Sequence, residues 1–483
     1  MRRRVIEALL AASLALAAGA ACGGQGGTGQ SAAETSTPHR PAAAEPAKQD
    51  KLGARTTTTA QPDHSDGLAR AISAASQARE KSTPTLAWYV NPDDGGQAAI
   101  AQRCTAAAAG EYRLQTQPLP RSASDQREQL LRRLAAKDSS IDLMSLDVAF
   151  VAEFAEAGFL TPIPDAGVPA LTQGVVGQAV AGATWNSRLV AAPMWANTEL
   201  LWYRKSVARQ AGLDPSSAPV TWEQIVDAAK KTGTTLAVQA RRYEGYTVLI
   251  NSLVESAGGH IVENPGASAD ELELGLDSPA GEQAAAVIQE IAHSGVAGPS
   301  LSTEDEEASR ALFQAQNGGF MVNWPYVWTA ANDAVAQGSL SADVVADIGW
   351  ARYPQAIAGE ESRPPLGGID LGISAWSRHP DLDLDAIRCI TSAANERYYF
   401  LHDGNPAARA GVFDDPAVKR EFPMAPLILA SLEASAARPQ TQYYSDLSAA
   451  ILQSFHPPES VSQGTPAAAQ SFAEAVLHGD RLP

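Results

Sequence analysis

At 483 residues, the chain exceeds the size at which one hydrophobic core usually stops growing, so two lobes are the expectation. Its 45% hydrophobic and 19% charged residues, with 9 Trp and 11 Tyr, describe an ordinary water-soluble protein. A formal net charge of −18 argues against nucleic acid and anionic lipid as electrostatic partners, because phosphates reward clustered Lys and Arg.

The N-terminus opens with Arg2, Arg3 and Arg4, then an Ala/Leu-rich stretch from Ala8 to Ala18, then small residues up to Cys22. That order reads as a bacterial export signal over residues 1–21 ending in a lipobox, with Cys22 as the lipidated residue, although Gly19 stands where Leu is usual. The apolar run is too short for an ordinary transmembrane span. Residues 22–84 carry the Cys and then a Gly, Ala, Thr, Ser and Pro-rich tract that cannot bury enough apolar area to offset its ordering entropy. This segment is expected to be a flexible tether, with a short helix at Asp66–Lys81. Apart from Cys22, only Cys104 and Cys389 are present, and in an exported chain they either oxidise to one disulfide or stay as buried thiols.

From Thr85 onward strands and helices alternate. TLAWYV (85–90) reads as a buried strand, 100–110 as a helix, 114–119 as a weaker strand, and 122–138 as a helix capped by Ser122. IDLMSLD (141–147) is a third strand and 148–158 another helix, a βαβαβα rhythm that favours a parallel sheet covered on both faces. Further on, Thr221 and Gly233 supply both end signals of one helix, and Thr303 opens another running to Gln316. The strands GGFMVNW (318–324) and LGGIDLGIS (366–374) follow, then a helix carrying Cys389.

Catalytic signatures are missing: the sequence has no GxSxG elbow, HExxH, Walker loop, Gly-rich dinucleotide turn or CxxC pair, so neither a cofactor nor a metal is expected. What stands out is polar and aromatic residues at strand ends, where open α/β sheets place ligands. Asp147 ends the third strand, and its carboxylate can accept two hydroxyl hydrogen bonds or simply cap the next helix. Asn197 follows an apolar strand as a ligand or a turn residue, and Glu307 lies in a first helical turn that favours acids in any case. Trp324, Tyr326 and Trp328 crowd another strand end, where rings stack on apolar C–H faces or fill the core; Trp328 is assigned to the core. Arg438 offers a planar donor fork for adjacent hydroxyls, or else a surface salt bridge.

The ordered series AQRC, LPRSASDQREQLLRRLAAKD, IDLMSLDVAFVAEFAEAGFLTPI, NTELLWYRKSV, ALFQAQNGGFMVNWPYVW, LGGIDLGISAW and AIRCITSAANERYYF resembles the family 1 extracellular solute-binding proteins of ABC importers over roughly residues 84–480. The resemblance implies an α/β, periplasmic-binding-protein-like fold: two lobes, over 85–196 with 365–420 and over 197–364 with 421–483, joined by a three-segment hinge around a ligand cleft. It further implies a non-enzymatic, monomeric sugar-binding lipoprotein on the outer face of the cell membrane, serving permease subunits and a separate ATPase. Its expected ligand is a disaccharide held by Asp147, Asn197, Glu307, Trp324 and Arg438, with the backbone of Gly367 and Gly368 nearby, to which the aromatic strand end adds Tyr326; its expected disulfide joins Cys104 to Cys389. The stretch ARRYEGY (240–246) departs from the pattern. The rival readings are an exported glycoside hydrolase using two carboxylates and a sugar-binding lipoprotein without a transporter.

Overall fold

The computed structural model describes residues 83–482; the export signal, Cys22 and nearly all of the tether lie outside them, as does the helix expected at 66–81. No helix among the described residues is long and apolar enough to cross a membrane. Eleven strands occur among these residues: β1 (Thr85–Val90), β2 (Arg113–Pro118), β3 (Leu143–Asp147), β4 (Thr184–Trp185), β5 (Arg188–Leu189), β6 (Ala192–Asn197), β7 (Leu200–Arg204), β8 (Thr235–Ala237), β9 (Gly318–Asn323), β10 (Ile348–Ala351) and β11 (Gly367–Ile373).

The strands form two separate main sheets. The first has the order β2-β1-β3-β11-β6, the second β10-β7-β9-β8, and β4-β5 is a small hairpin. In the first, β2, β1 and β3 are parallel, as the alternating pattern predicts, but β11 runs antiparallel to both β3 and β6. The expected all-parallel sheet is thus a mixed one, and the reason is the path of the chain. β6 leaves this sheet at Asn197 and passes through Thr198 and Glu199 into β7 of the second sheet; β11 comes back from the second sheet and must run the other way.

Each sheet has its own core. Leu86, Trp88, Leu143, Met144, Leu371 and Ile387 belong to the first. Leu201, Ile225, Leu236, Ile250, Phe320 and Phe455 belong to the second. A third apolar cluster, with Ala196, Trp202, Met321, Leu366, Phe400 and Ile428, draws on both sheets and pins them where the chain crosses. Besides 198–199, the chain crosses at 352–366, and the stretch 434–443 runs beside that segment, tied by a parallel bridge between Pro365 and Ala436. The molecule is therefore two α/β lobes joined by three strips of chain.

Local signals explain most boundaries. Ser122 accepts from Asp125 N ahead of the helix Ala123–Ala135. Thr221 and Gln224 form a reciprocal capping box on the helix Trp222–Thr232, and Gly233 at φ 66° ends it. Two expectations shift. The first helix starts at Gly96 rather than Ile100, because the Asp93 carboxylate accepts from Gln97 N at 2.7 Å and holds the first turn. The helix expected from Thr303 is the helix Glu306–Gln314, capped by Asp305, which accepts from Ala308 N at 3.0 Å; Thr303 ends a 3₁₀ turn and donates to Ser300 O instead. Cys104 and Cys389 are joined, Cα to Cα 5.8 Å, tying the helix Gly96–Ala107 to the helix Pro380–Ile390 across 285 residues.

Candidate functional site

The reversed direction of β11 puts three strand ends together. Its register opposes Ile369 to Asp147 and Gly367 to Asn197, so the carboxyl ends of β3 and β6 meet the amino end of β11. Gly367 is required there by a neighbour from the other sheet: a Cβ at this position would lie 2.8 Å from the indole of Trp324, which follows β9. Gly368, at φ 118°, would bring a Cβ to 2.3 Å from Trp195 O. The structure thus gathers Asp147, Asn197, Gly367, Gly368 and Trp324 around one edge, with Trp324 from the second lobe facing groups of the first.

Asp147 takes the capping role read from the sequence and pairs with Arg438 as well. Its Oδ1 accepts from Ala149 N at 3.0 Å, capping the turn that follows, and from Arg438 Nη2 at 2.5 Å. Its Oδ2 makes no hydrogen bond within the described residues, and the side chain keeps 20% exposure. Asn197 is buried, and its Oδ1 accepts from Thr198 N at 3.0 Å, the turn role. Asn323 orients the next residue: its Oδ1 accepts from Trp324 N at 2.8 Å, while its Nδ2 donates to Glu306 O at 2.9 Å.

Glu307 is half exposed and binds Arg310 at 2.6 Å. The Tyr326 hydroxyl is buried near this carboxylate, and burial, aided by the Glu307 charge, raises its pKa. Trp328 lies apart from them, edge-on to Trp350 at 5.5 Å and donating to Glu421 O, in agreement with its packing assignment.

Arg438 is buried rather than at the surface. It is 3% exposed, so it is no surface salt bridge, and its fork is engaged by two carboxylates: Asp147 on the first lobe and Glu244 on the second, the latter at 2.6 Å. Glu244 escaped the sequence reading. It opens the helix Glu244–Ser256, twelve of whose thirteen residues are buried. A lone acid starting so apolar a run was the available signal. Glu244 also accepts from the Tyr444 hydroxyl and from Ser448 Oγ at 3.0 Å. Burial raises its carboxyl and Asp147 adds to that, while Arg438 opposes it.

A second unread acid sits on the first crossing. Burial pushes Glu199 up to about 8, although Gln239 Nε2 donates to it at 2.6 Å. Gln239 in turn accepts from the Tyr243 hydroxyl at 2.9 Å. No group of three or more His, Cys, Asp or Glu among the described residues is arranged to hold a metal ion.

Two facing lobes with polar groups and an indole at their junction define a binding protein, and the chain belongs to the bacterial extracellular solute-binding protein family, whose model matches residues 113–397. Members of that family bind solutes and are not enzymes. Among curated relatives, the chain is 26% identical over 323 residues to a "Probable ABC transporter-binding protein" of Deinococcus radiodurans, covering 64% of this chain and 72% of that protein. It is 27% identical over 256 residues to a "Probable amino-acid ABC transporter periplasmic-binding protein y4oP" of Sinorhizobium fredii, covering 52% of this chain and 55% of that protein. Among solved structures, the fold is similar to maltose-bound MalE3 of T. maritima (TM-score 0.70, 24% identity, 83% of this chain and 100% of that chain). It is also similar to a solute-binding protein of Thermotoga lettingae bound with α-D-tagatose (TM-score 0.68, 19% identity, 82% and 100%) and to the GacH receptor of Streptomyces glaucescens (TM-score 0.66, 19% identity, 82% and 99%).

Proposed function

We propose that the chain captures a disaccharide, trehalose or a related glucoside, outside the cell and delivers it to an ABC importer. The observation that carries this reading is the pairing of a carboxylate oxygen, Asp147 Oδ2, with an indole, Trp324, where the two lobes meet: an acceptor for hydroxyls beside a face for C–H groups. Asn197, Glu307, Tyr326 and the backbone of Gly367 and Gly368 complete the proposed contact set. Arg438 joins it through Asp147. The maltose and tagatose held by the structural neighbours support a sugar, and the ordered motifs resemble those of the mycobacterial trehalose-binding lipoprotein LpqY.

In this reading Cys22 carries the lipid, residues 22–84 tether the body, the lobes close over the sugar about the crossings at 198–199, 352–366 and 434–443, and the monomer docks on permease subunits driven by a separate ATPase. Ligand shifts the lobes toward closure only by its differential affinity for the closed form. An amino acid, the ligand class in the name of the Sinorhizobium relative, fits less well, because its α-carboxylate calls for a free cation and both Arg438 and Arg310 are already ion-paired.

A thermal-shift screen of trehalose, maltose, other disaccharides and monosaccharides tests the proposal, since a ligand of the native state raises the melting temperature by mass action. A disaccharide should give the largest rise and be recovered intact. A rise with amino acids alone, or cleavage of the sugar, contradicts it.

A further inference from the structure

The group formed by Arg438, Asp147 and Glu244 is uneven in charge: one guanidinium faces two carboxylates. Glu244 is 8% exposed, and both its oxygens are approached by donors, Oε1 by Arg438 Nη1 and the Tyr444 hydroxyl, Oε2 by Ser448 Oγ. Burial, the largest effect, and the Asp147 charge raise its carboxyl, while the Arg438 guanidinium and the Tyr444 hydroxyl that donate to Oε1 oppose them and favour the carboxylate form. Arg438 has little freedom beside it. Its Nη1 is held by Glu244 and its Nη2 by Asp147, and it comes from the stretch 434–443 that runs along the crossing.

One guanidinium against two carboxylates leaves the group with a surplus of acid, and its partly exposed member is Asp147. The other guanidinium near the proposed contacts is also engaged: Arg310 donates to Glu307 at 2.6 Å and to Gln314 at 3.0 Å.

We infer that Glu244 is a positioning residue that turns Arg438 away from the ligand and onto Asp147, so that the cleft accepts neutral hydroxyl-rich sugars and excludes sugars bearing phosphate, sulfate or carboxylate. The inference rests on the sugar-capture reading above and narrows its substrate class. Without Glu244, the guanidinium fork would be a donor pair suited to a phosphate or carboxylate. With Glu244 in place, an anion entering the cleft meets a net negative group inside a low-dielectric wall. One buried unit charge roughly 10 Å from a ligand anion, at the effective dielectric constant of protein sites, amounts to about a ten-fold change in affinity.

The test is calorimetric titration of the purified full chain with trehalose and trehalose 6-phosphate, and with maltose and maltose 6′-phosphate as a second pair. It is carried out on the wild type, Glu244→Gln, which removes the charge but keeps the shape, and Glu244→Asp, which keeps the charge. The wild type should bind whichever neutral sugar it takes at least about ten-fold more tightly than its phosphate. Glu244→Gln should narrow that ratio about ten-fold, and Glu244→Asp should largely retain it. A structural defect alone would weaken both members of a pair together and leave the ratio unmoved. If Glu244→Gln does not fold, Asp147→Asn removes the same surplus charge and should narrow the ratio likewise. Equal binding of sugar and phosphate by the wild type, or a ratio unchanged within two-fold in the folded charge-removing variant, overturns the inference while leaving sugar capture standing. Failure of every neutral saccharide to bind overturns both.

Discussion

Trp324 and Asp147 present complementary chemistry from opposite lobes, and each makes a separate prediction. Burying roughly 60 Å² of a sugar's C–H face on the indole contributes about 1.5 kcal/mol, so Trp324→Ala should weaken disaccharide affinity about ten-fold in calorimetry while leaving the fold intact. Asp147→Asn withdraws a charged acceptor and half of the partner set of Arg438, and should weaken affinity at least as much, with a lower melting temperature as well. Unchanged affinity in both variants would refute the contact set. Residue types at strand ends made Asp147, Asn197 and Trp324 legible in the sequence, because side-chain chemistry there is conspicuous against apolar strands. The partner of Arg438 was not legible: 194 residues separate it from Glu244, and no periodicity reports a contact of that range.

The elements follow from capping, periodicity and turn residues, and the capping box at Thr221 and Gln224 is legible in the sequence alone. Strand direction was not readable. β11 presents the same apolar pattern whichever way it runs, and only the path of the chain through the second lobe reverses it. The first crossing carries a testable consequence. Glu199 titrates near 8 in the folded protein against an ordinary value of 4.5, so the native state keeps a proton that the unfolded chain gives up. Its contribution is fully favourable below about pH 4.5 and declines as pH rises towards 8, by at most about 1.4 kcal/mol per pH unit. Urea unfolding at pH 5 and pH 8 should therefore show a smaller loss of stability in Glu199→Gln than in the wild type; equal losses would contradict the assignment. The disulfide makes a simpler prediction. Replacing Cys104 and Cys389 by Ser frees two helices joined over 285 residues and should cost about 2–5 kcal/mol of unfolding free energy. A cost near zero would mean that packing alone holds those helices.

For the whole molecule, two sheets with their own cores are joined by three strips of chain and touch through Trp324, Gly367 and Arg438. Length suggested two lobes and the alternation of strands and helices suggested α/β architecture, but the apolar cluster shared by both sheets has no counterpart in local pattern, because its members come from ten or more separate segments. Capture of a sugar between the lobes is the claim on which the other predictions depend. Its most direct test is titration calorimetry of the purified protein with trehalose and maltose, followed by analysis of the recovered sugar. One disaccharide should bind with a stoichiometry of about one, with a negative heat-capacity change from burial of apolar surface, and come back unaltered. Absence of saturable heat with any disaccharide, or the appearance of monosaccharide products, would contradict the account.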